Sequence, residues 1–199
     1  SGASVGIVQQ TDYPCSGRVE LVVALDRPEP FSLELRIPYW SVETAVAVNG
    51  RAVPDVKAGR YLELNREWSQ DDRVVIDLDM RPHVWARPDT AAGDGVCSCS
   101  IYRGPVLMAY DPRYNKPHAD GLPPVVAAPL SLQPVDDDTW LKPWLLFETP
   151  AVDGPALRLC DFASAGMAGD HYLSWLPLRI DPSAGAPFTR ENPLRSVRV

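Results

Sequence analysis

The chain has 199 residues, enough for one large domain or two small ones, each able to bury a modest core. Hydrophobic residues make up 45% and charged residues 23%, and 21 prolines against 13 glycines favour short elements joined by stiff turns over long helices. A net charge of -7, with Lys and Arg scattered singly, leaves no basic footprint for a nucleic-acid backbone or an anionic lipid surface, so neither is expected as a partner.

Alternation of apolar and polar residues is the main local signal. RVELVVAL turns Val19, Leu21, Val23 and Leu25 to one side, the period-two pattern of a half-buried strand. FSLELRI does the same with Phe31, Leu33, Leu35 and Ile37, leaving Ser32, Glu34 and Arg36 for solvent. In AVAVNGRAV, Asn49-Gly50 lies between two apolar runs and accepts the positive φ angles that a tight hairpin turn needs. YLEL and RVVIDLDM follow, with Asp71-Asp72 between them as turn residues and Val74, Ile76, Leu78 and Met80 facing inward. The small-residue stretch ARPDTAAGDG, near residues 86–95, predicts a boundary. Beyond it CSCSIY and PVLMAY read as strands. A Pro-rich loop runs from Asp111 to Pro129, and LLFET, ALRLCDF and YLSWLPL are again short and β-like. The expected fold class is therefore all-β: two consecutive antiparallel β-sandwich (jelly-roll-like) modules, residues 4–90 and 91–182, with a loosely ordered tail at 183–199.

No run of about 18 apolar residues exists, and the N-terminus lacks the charged-then-apolar layout of a secretion signal, so the chain reads as soluble with its compartment open. It begins Ser1-Gly2 without a methionine, in the manner of a processed tag, and so reads as a piece of a longer protein. Four cysteines, Cys15, Cys97, Cys99 and Cys160, are too few for a disulfide scaffold, and their redox state stays open.

Four constellations invite a chemical reading. Residues 59–80, GRYLELNREWSQDDRVVIDLDM, concentrate Glu63, Glu67, Asp71, Asp72, Asp77 and Asp79, and a pair of carboxylates is what a glycoside hydrolase needs. Here Glu63, Asp77 and Asp79 alternate with Leu62, Leu64, Ile76, Leu78 and Met80, which assigns them to the solvent face of a hairpin, with Asp71 and Asp72 in its turn. Cys97 and Cys99 would share one strand face. Without two further ligands at zinc spacing among His83, His118, His171, Cys15 and Cys160, they read as buried thiols and not as metal ligands. His171 beside Asp170 suggests a hydrolytic triad, but no G-x-S-x-G elbow accompanies it, and no Gly-rich phosphate loop occurs. Of the aromatic residues, Trp40, Trp68 and Trp175 are expected as core or inter-sheet filling. Trp140 and Trp144, with Tyr110, Tyr114 and His118 nearby, form either a packing contact between the modules or a stacking platform for a sugar.

Taken in order, PCSGRVELVV, LRIPYW, VNG, GRYLELNREWSQDDRVVIDLDMRP and IYRGPVLMAY resemble the region after the catalytic domain in bacterial β-L-arabinofuranosidase-type glycoside hydrolases (family 127, formerly a domain of unknown function), across residues 12–110. DFASAG and HYLSWLPL resemble the end of the same region. The resemblance implies a parent enzyme whose N-terminal (α/α)6 barrel houses a cysteine nucleophile, an acid/base glutamate and a zinc ion, followed by two β-sandwich domains. It further implies that this chain holds only the sandwiches. No catalytic, cofactor-binding or metal residue of the family then has a counterpart here, and zinc belongs to the barrel. The leading expectation is a non-catalytic accessory region whose partner is the barrel of the same polypeptide. The alternative is a carbohydrate-binding module presenting Trp140, Trp144 and Tyr114, with Asp136, Asp137 and Lys142 as hydrogen-bonding neighbours. A self-contained hydrolase using cross-strand carboxylates is a remote third.

Overall fold

The computed structural model describes residues 4–86, 96–117, 121–126, 130–136 and 141–179. The chain divides into two compact units, Ser1–Met80 and Arg81–Val199. Both are built from strands, and a single 3-10 turn is the only helical element among the described residues.

The first unit contains β1 (Val5–Thr11), β2 (Arg18–Leu25), β3 (Glu29–Arg36), β4 (Ala45–Val48), β5 (Arg51–Ala52), β6 (Tyr61–Trp68) and β7 (Arg73–Asp77). One sheet has the order β1-β2-β7-β4-β5, and β3 pairs with β6 in a second layer. All of these pairings are antiparallel. The expected inward residues supply the core: Leu21, Val23 and Leu25 from β2, Leu35 from β3, Val46 and Val48 from β4, Leu64 and Trp68 from β6, and Val74 from β7. Trp68 is fully buried, stacks on Phe31 at 5.6 Å, and satisfies its indole N–H on the Phe31 carbonyl at 3.0 Å. Trp40 is buried as well.

Asn49 and Gly50 form the β4–β5 turn with φ of 50° and 77°, the left-handed pair that this dipeptide tolerates. Asp71, with φ of 66°, and Asp72 also occupy a turn, but it does not close a hairpin. β6 pairs with β3 whereas β7 lies between β2 and β4, so the turn carries the chain from one sheet to the other. Alternation decides which face a residue takes and is silent about which strand lies beside it. Gly17, just before β2, permits the tightest backbone approach: a Cβ there would lie 2.2 Å from the Leu78 carbonyl oxygen. The Gly17 carbonyl accepts from Leu78 N at 2.9 Å across the same contact.

The second unit contains β8 (Pro82–Ala86), β9 (Val96–Arg103), β10 (Val106–Tyr110), the 3-10 turn Pro112–Tyr114, β11 (Val125–Val126), β12 (Gln133–Pro134), β13 (Leu146–Thr149), β14 (Leu157–Asp161) and β15 (Leu176–Arg179). The sheet path is β11-β15-β9-β10-β14-β13-β12, with β8 on β9. Pro82–Ala86, expected in the first module, thus hydrogen-bonds to a strand of the second. The expected tail at 183–199 lies outside the described residues.

β10 changes partner along its length. Val106 and Leu107 pair with β9, then Met108, Ala109 and Tyr110 pair with β14, so one strand passes from one half of the sheet to the other. Arrangement is antiparallel except for β11 and β15, which run parallel. The core gathers Val84, Cys97, Cys99, Ile101, Met108, Val125, Phe147, Leu157, Leu159, Leu176 and Leu178.

Candidate functional site

The acidic segment disperses once folded. Glu63 is exposed and accepts from Ser32 Oγ at 2.8 Å. Asp77 is exposed beside Arg18 at 3.5 Å, and Glu67 is exposed. Asp72 ties the inter-sheet turn together by accepting from Ser69 N at 2.9 Å and Asn49 Nδ2 at 2.7 Å. Burial would raise its pKa, but these hydrogen bonds and the Arg66 charge hold it below the ordinary value.

Asp79 departs from the expected solvent face, being only 7% exposed, with its own N–H donated to the buried Ser41 Oγ at 2.7 Å. β7 ends at Asp77, and alternation holds only while a strand lasts. The partners described for these acids are turn, strand and surface groups.

The cysteines sit where period two places them. Cys97 and Cys99 point with Ile101 into the second core, and Cys160 is fully buried. Burial raises the Cys97 thiol and, together with the neighbouring Cys97 charge, pushes Cys99 up to about 12. Burial, then Asp111 and Asp161, bring Cys160 to about 12. A protonated thiol is a poor nucleophile. Among the described residues no group of three or more His, Cys, Asp or Glu is arranged to hold a metal ion. His83 is buried on β8 with its ring 5.5 Å from Tyr102, while Asp170 and His171 are both exposed.

The proposed aromatic platform is only partly formed. Trp144 is 55% exposed, with its backbone N–H donated to Ser164 Oγ at 3.0 Å. Tyr114 is buried against Leu146 and Cys160, capped by the Arg113 guanidinium 4.9 Å from its ring, and its hydroxyl donates to the Leu141 carbonyl at 3.1 Å. Tyr114 therefore packs and does not share an open face with Trp144. Asp136 and Lys142 are exposed. Trp140, His118 and Asp137 lie outside the described residues.

The most organised polar group in the second unit surrounds Asp111. Its carboxylate is fully buried and accepts from Arg113 N, Arg113 Nε, Arg113 Nη2 at 2.7 Å, and Gly166 N at 2.9 Å. Arg113 Nη2 also donates to the Ser164 carbonyl, and Asp161 accepts from Leu145 N and Ser164 N. Asn115 clamps the flank, donating to the Asp111 and Arg158 carbonyls and accepting from Arg158 N. An open groove of about 440 Å³ beside it is lined by Arg113, Asn115, Lys116, Glu148 and Arg158, but Arg113 is held by Asp111, and Arg158 lies 3.6 Å from Glu148.

This network pins the loop segment 162–175, whose other anchor is the pair of backbone bonds between Tyr110 and Leu173 at 2.8 and 2.9 Å. So held, the loop displays Phe162, Met167, Tyr172, Leu173 and Trp175 at 41–51% exposure, with Phe162 and Tyr172 edge to face at 5.5 Å. Trp175 corrects the expectation of a filling residue. Leu176 and Leu178 face the core of β15, so period two turns Trp175 outward. A fixed loop that exposes several large apolar side chains is suited to docking a partner surface.

Residues 1–80 match the family described as "Beta-L-arabinofuranosidase, GH127 middle domain", a span that coincides with the first compact unit. No curated protein matches the chain in sequence. In fold, a solved glycoside hydrolase is similar at TM-score 0.71 and 25% identity, over 88% of this chain and 32% of its own. A GH127 β-L-arabinofuranosidase from Geobacillus stearothermophilus T6 is similar at TM-score 0.70 and 23% identity, over 90% of this chain and 31% of its own. A further GH127 β-arabinofuranosidase is similar at TM-score 0.68 and 22% identity, over 92% and 33%. The chain spans about a third of the length of these structures. The chain thus resembles part of the β-L-arabinofuranosidase-type glycoside hydrolases, and over residues 1–80 the resemblance is to their middle domain.

Proposed function

We propose that these residues are a non-catalytic accessory region of a glycoside hydrolase, packing against and stiffening a catalytic barrel that lies elsewhere in the same polypeptide. The observation that carries the reading is the match of the first unit to the GH127 middle domain, within a chain that spans about a third of the similar solved glycoside hydrolases. In this reading the reacting groups and any zinc belong to the barrel. The carboxylates of the acidic segment serve turns and surface pairs, Asp111 and Asp161 serve a buried structural network, and the buried thiols serve the core.

The loop 162–175 supports the same reading from physics. Its apolar side chains would gain roughly 25 cal/mol for each Å² of apolar surface covered, and the Asp111 network holds them still beforehand, which lowers the entropy cost of docking. The test is Trp175→Glu, made in the parent enzyme and in the 199-residue chain. We expect the parent's thermal transition to fall by several degrees, in keeping with a loss of about 1–2 kcal/mol, and the chain alone to be almost unchanged. Equal behaviour of the two would remove this loop from the interface.

A further inference from the structure

β1 is the least finished element of the first unit. Among the described residues it hydrogen-bonds to β2 alone, along its full length from Val5 to Thr11. The direction of its backbone groups follows from β2. There Val23 donates its N–H to the Asp72 carbonyl and accepts from Asp71 N, both on the side of β7. Successive strand residues turn their backbone groups to opposite edges, so Glu20, Val22 and Ala24 face β1, and their partners Gln10, Val8 and Gly6 form the bonded pairs. Val5, Ile7, Gln9 and Thr11 consequently aim their N–H and C=O groups at the open edge.

Soluble proteins blunt such edges with charged side chains, proline or a bulge. The β1 sequence VGIVQQT has no charge and no proline, and its register with β2 is continuous. Its apolar side chains are also only about half covered. Val5, Ile7 and Gln9 lie opposite Leu25, Val23 and Leu21, the core residues of β2, yet Val5 is 46% and Ile7 45% exposed. Among the described residues the facing layer has two strands against five, and the inner face of β1 stays about half exposed. Among the described residues, backbone groups without partners and half-exposed apolar side chains occur together on this strand.

We propose that β1 receives one more strand, supplied by the part of the parent glycoside hydrolase beyond these 199 residues, with apolar side chains on the face shared by Val5 and Ile7. The proposal rests on the accessory-region reading. Length favours the parent polypeptide over a second copy of the chain. The similar solved proteins have about two thirds of their residues outside the matched part, and a tethered strand acts at an effective concentration in the millimolar range.

Residue-resolved amide exchange tests the proposal. In the 199-residue chain, Ile7 and Gln9 should exchange near the unprotected rate while Gly6, Val8 and Gln10 are slowed by β2. In the full parent, Ile7 and Gln9 should slow at least about tenfold, with Val8 little changed. Gln9→Pro removes an outward donor without touching a β1–β2 bond. It should leave the chain's thermal transition within a few degrees and return Ile7 to fast exchange in the parent. Equal rates for Ile7 and Gln9 in chain and parent overturn the proposal. So does protection in the chain alone that grows with concentration, which would identify a second copy as the occupant. Glycoside hydrolysis by the chain alone would defeat the accessory reading and leave this exchange pattern untouched, so the two failures are distinguishable.

Discussion

Asp111 stays charged although its side chain is fully buried, because backbone and guanidinium donors converge on it. Burial alone would raise its pKa, but the Arg113 side chain, the Gly166 and Arg113 N–H groups and the Arg113 charge hold it below the ordinary value. A depressed folded-state pKa contributes stability above the unfolded value of about 4, and that contribution is lost as pH falls through the folded value. Asp111→Asn should cost the second unit about 2–4 kcal/mol at pH 7, because Arg113 loses its counter-charge, and should flatten the unit's acid destabilisation. Chemical denaturation at pH 7 and pH 3 checks both; an unchanged acid response would show that Asp111 carries none of it. The buried thiols behave in the opposite way. Burial outweighs the Arg113 charge beside Cys160 and keeps both Cys99 and Cys160 protonated, each at about 12. At pH 8 a thiol reagent should label the half-buried Cys15 and reach Cys97, Cys99 and Cys160 only after unfolding. Rapid labelling of any of these three in the folded chain would contradict their place in the core.

At the scale of elements, backbone approach is as restrictive as side-chain packing. Gly17→Ala would force a Cβ to within 2.2 Å of the Leu78 carbonyl oxygen, a backbone atom without side-chain freedom to move aside. It should destabilise the first unit by about 1–3 kcal/mol, read by thermal or urea denaturation; a neutral result would mean that the segment after β7 is free to shift. Much of this layer was legible in the amino-acid order. The inward sets of β2 and β3 and the Asn49-Gly50 turn are local consequences of strand period and φ preference, and they fold as expected. The partners of β6 and β7 were not legible, since pairing joins residues far apart in the chain and alternation is the same whichever strand lies alongside. The expected hairpin around Asp71-Asp72 failed for that reason. Asp79 failed because its strand ends two residues earlier, and Trp175 because its parity is set by Leu176 and Leu178.

For the whole molecule, the family strings supplied what periodicity could not, and the match to a GH127 middle domain over residues 1–80 agrees with them. The exposed apolar loop 162–175 was hidden from sequence reasoning, because its residues look like core until the Asp111 network fixes the loop with those side chains outward. The central claim is that these 199 residues support a glycoside hydrolase without carrying its chemistry. Its most direct test is a hydrolysis assay of the isolated chain on aryl arabinofuranosides, read against a buffer blank and against the parent enzyme. The account predicts turnover by the parent and a rate for the chain equal to the blank. Turnover that scales with the concentration of the chain would contradict it.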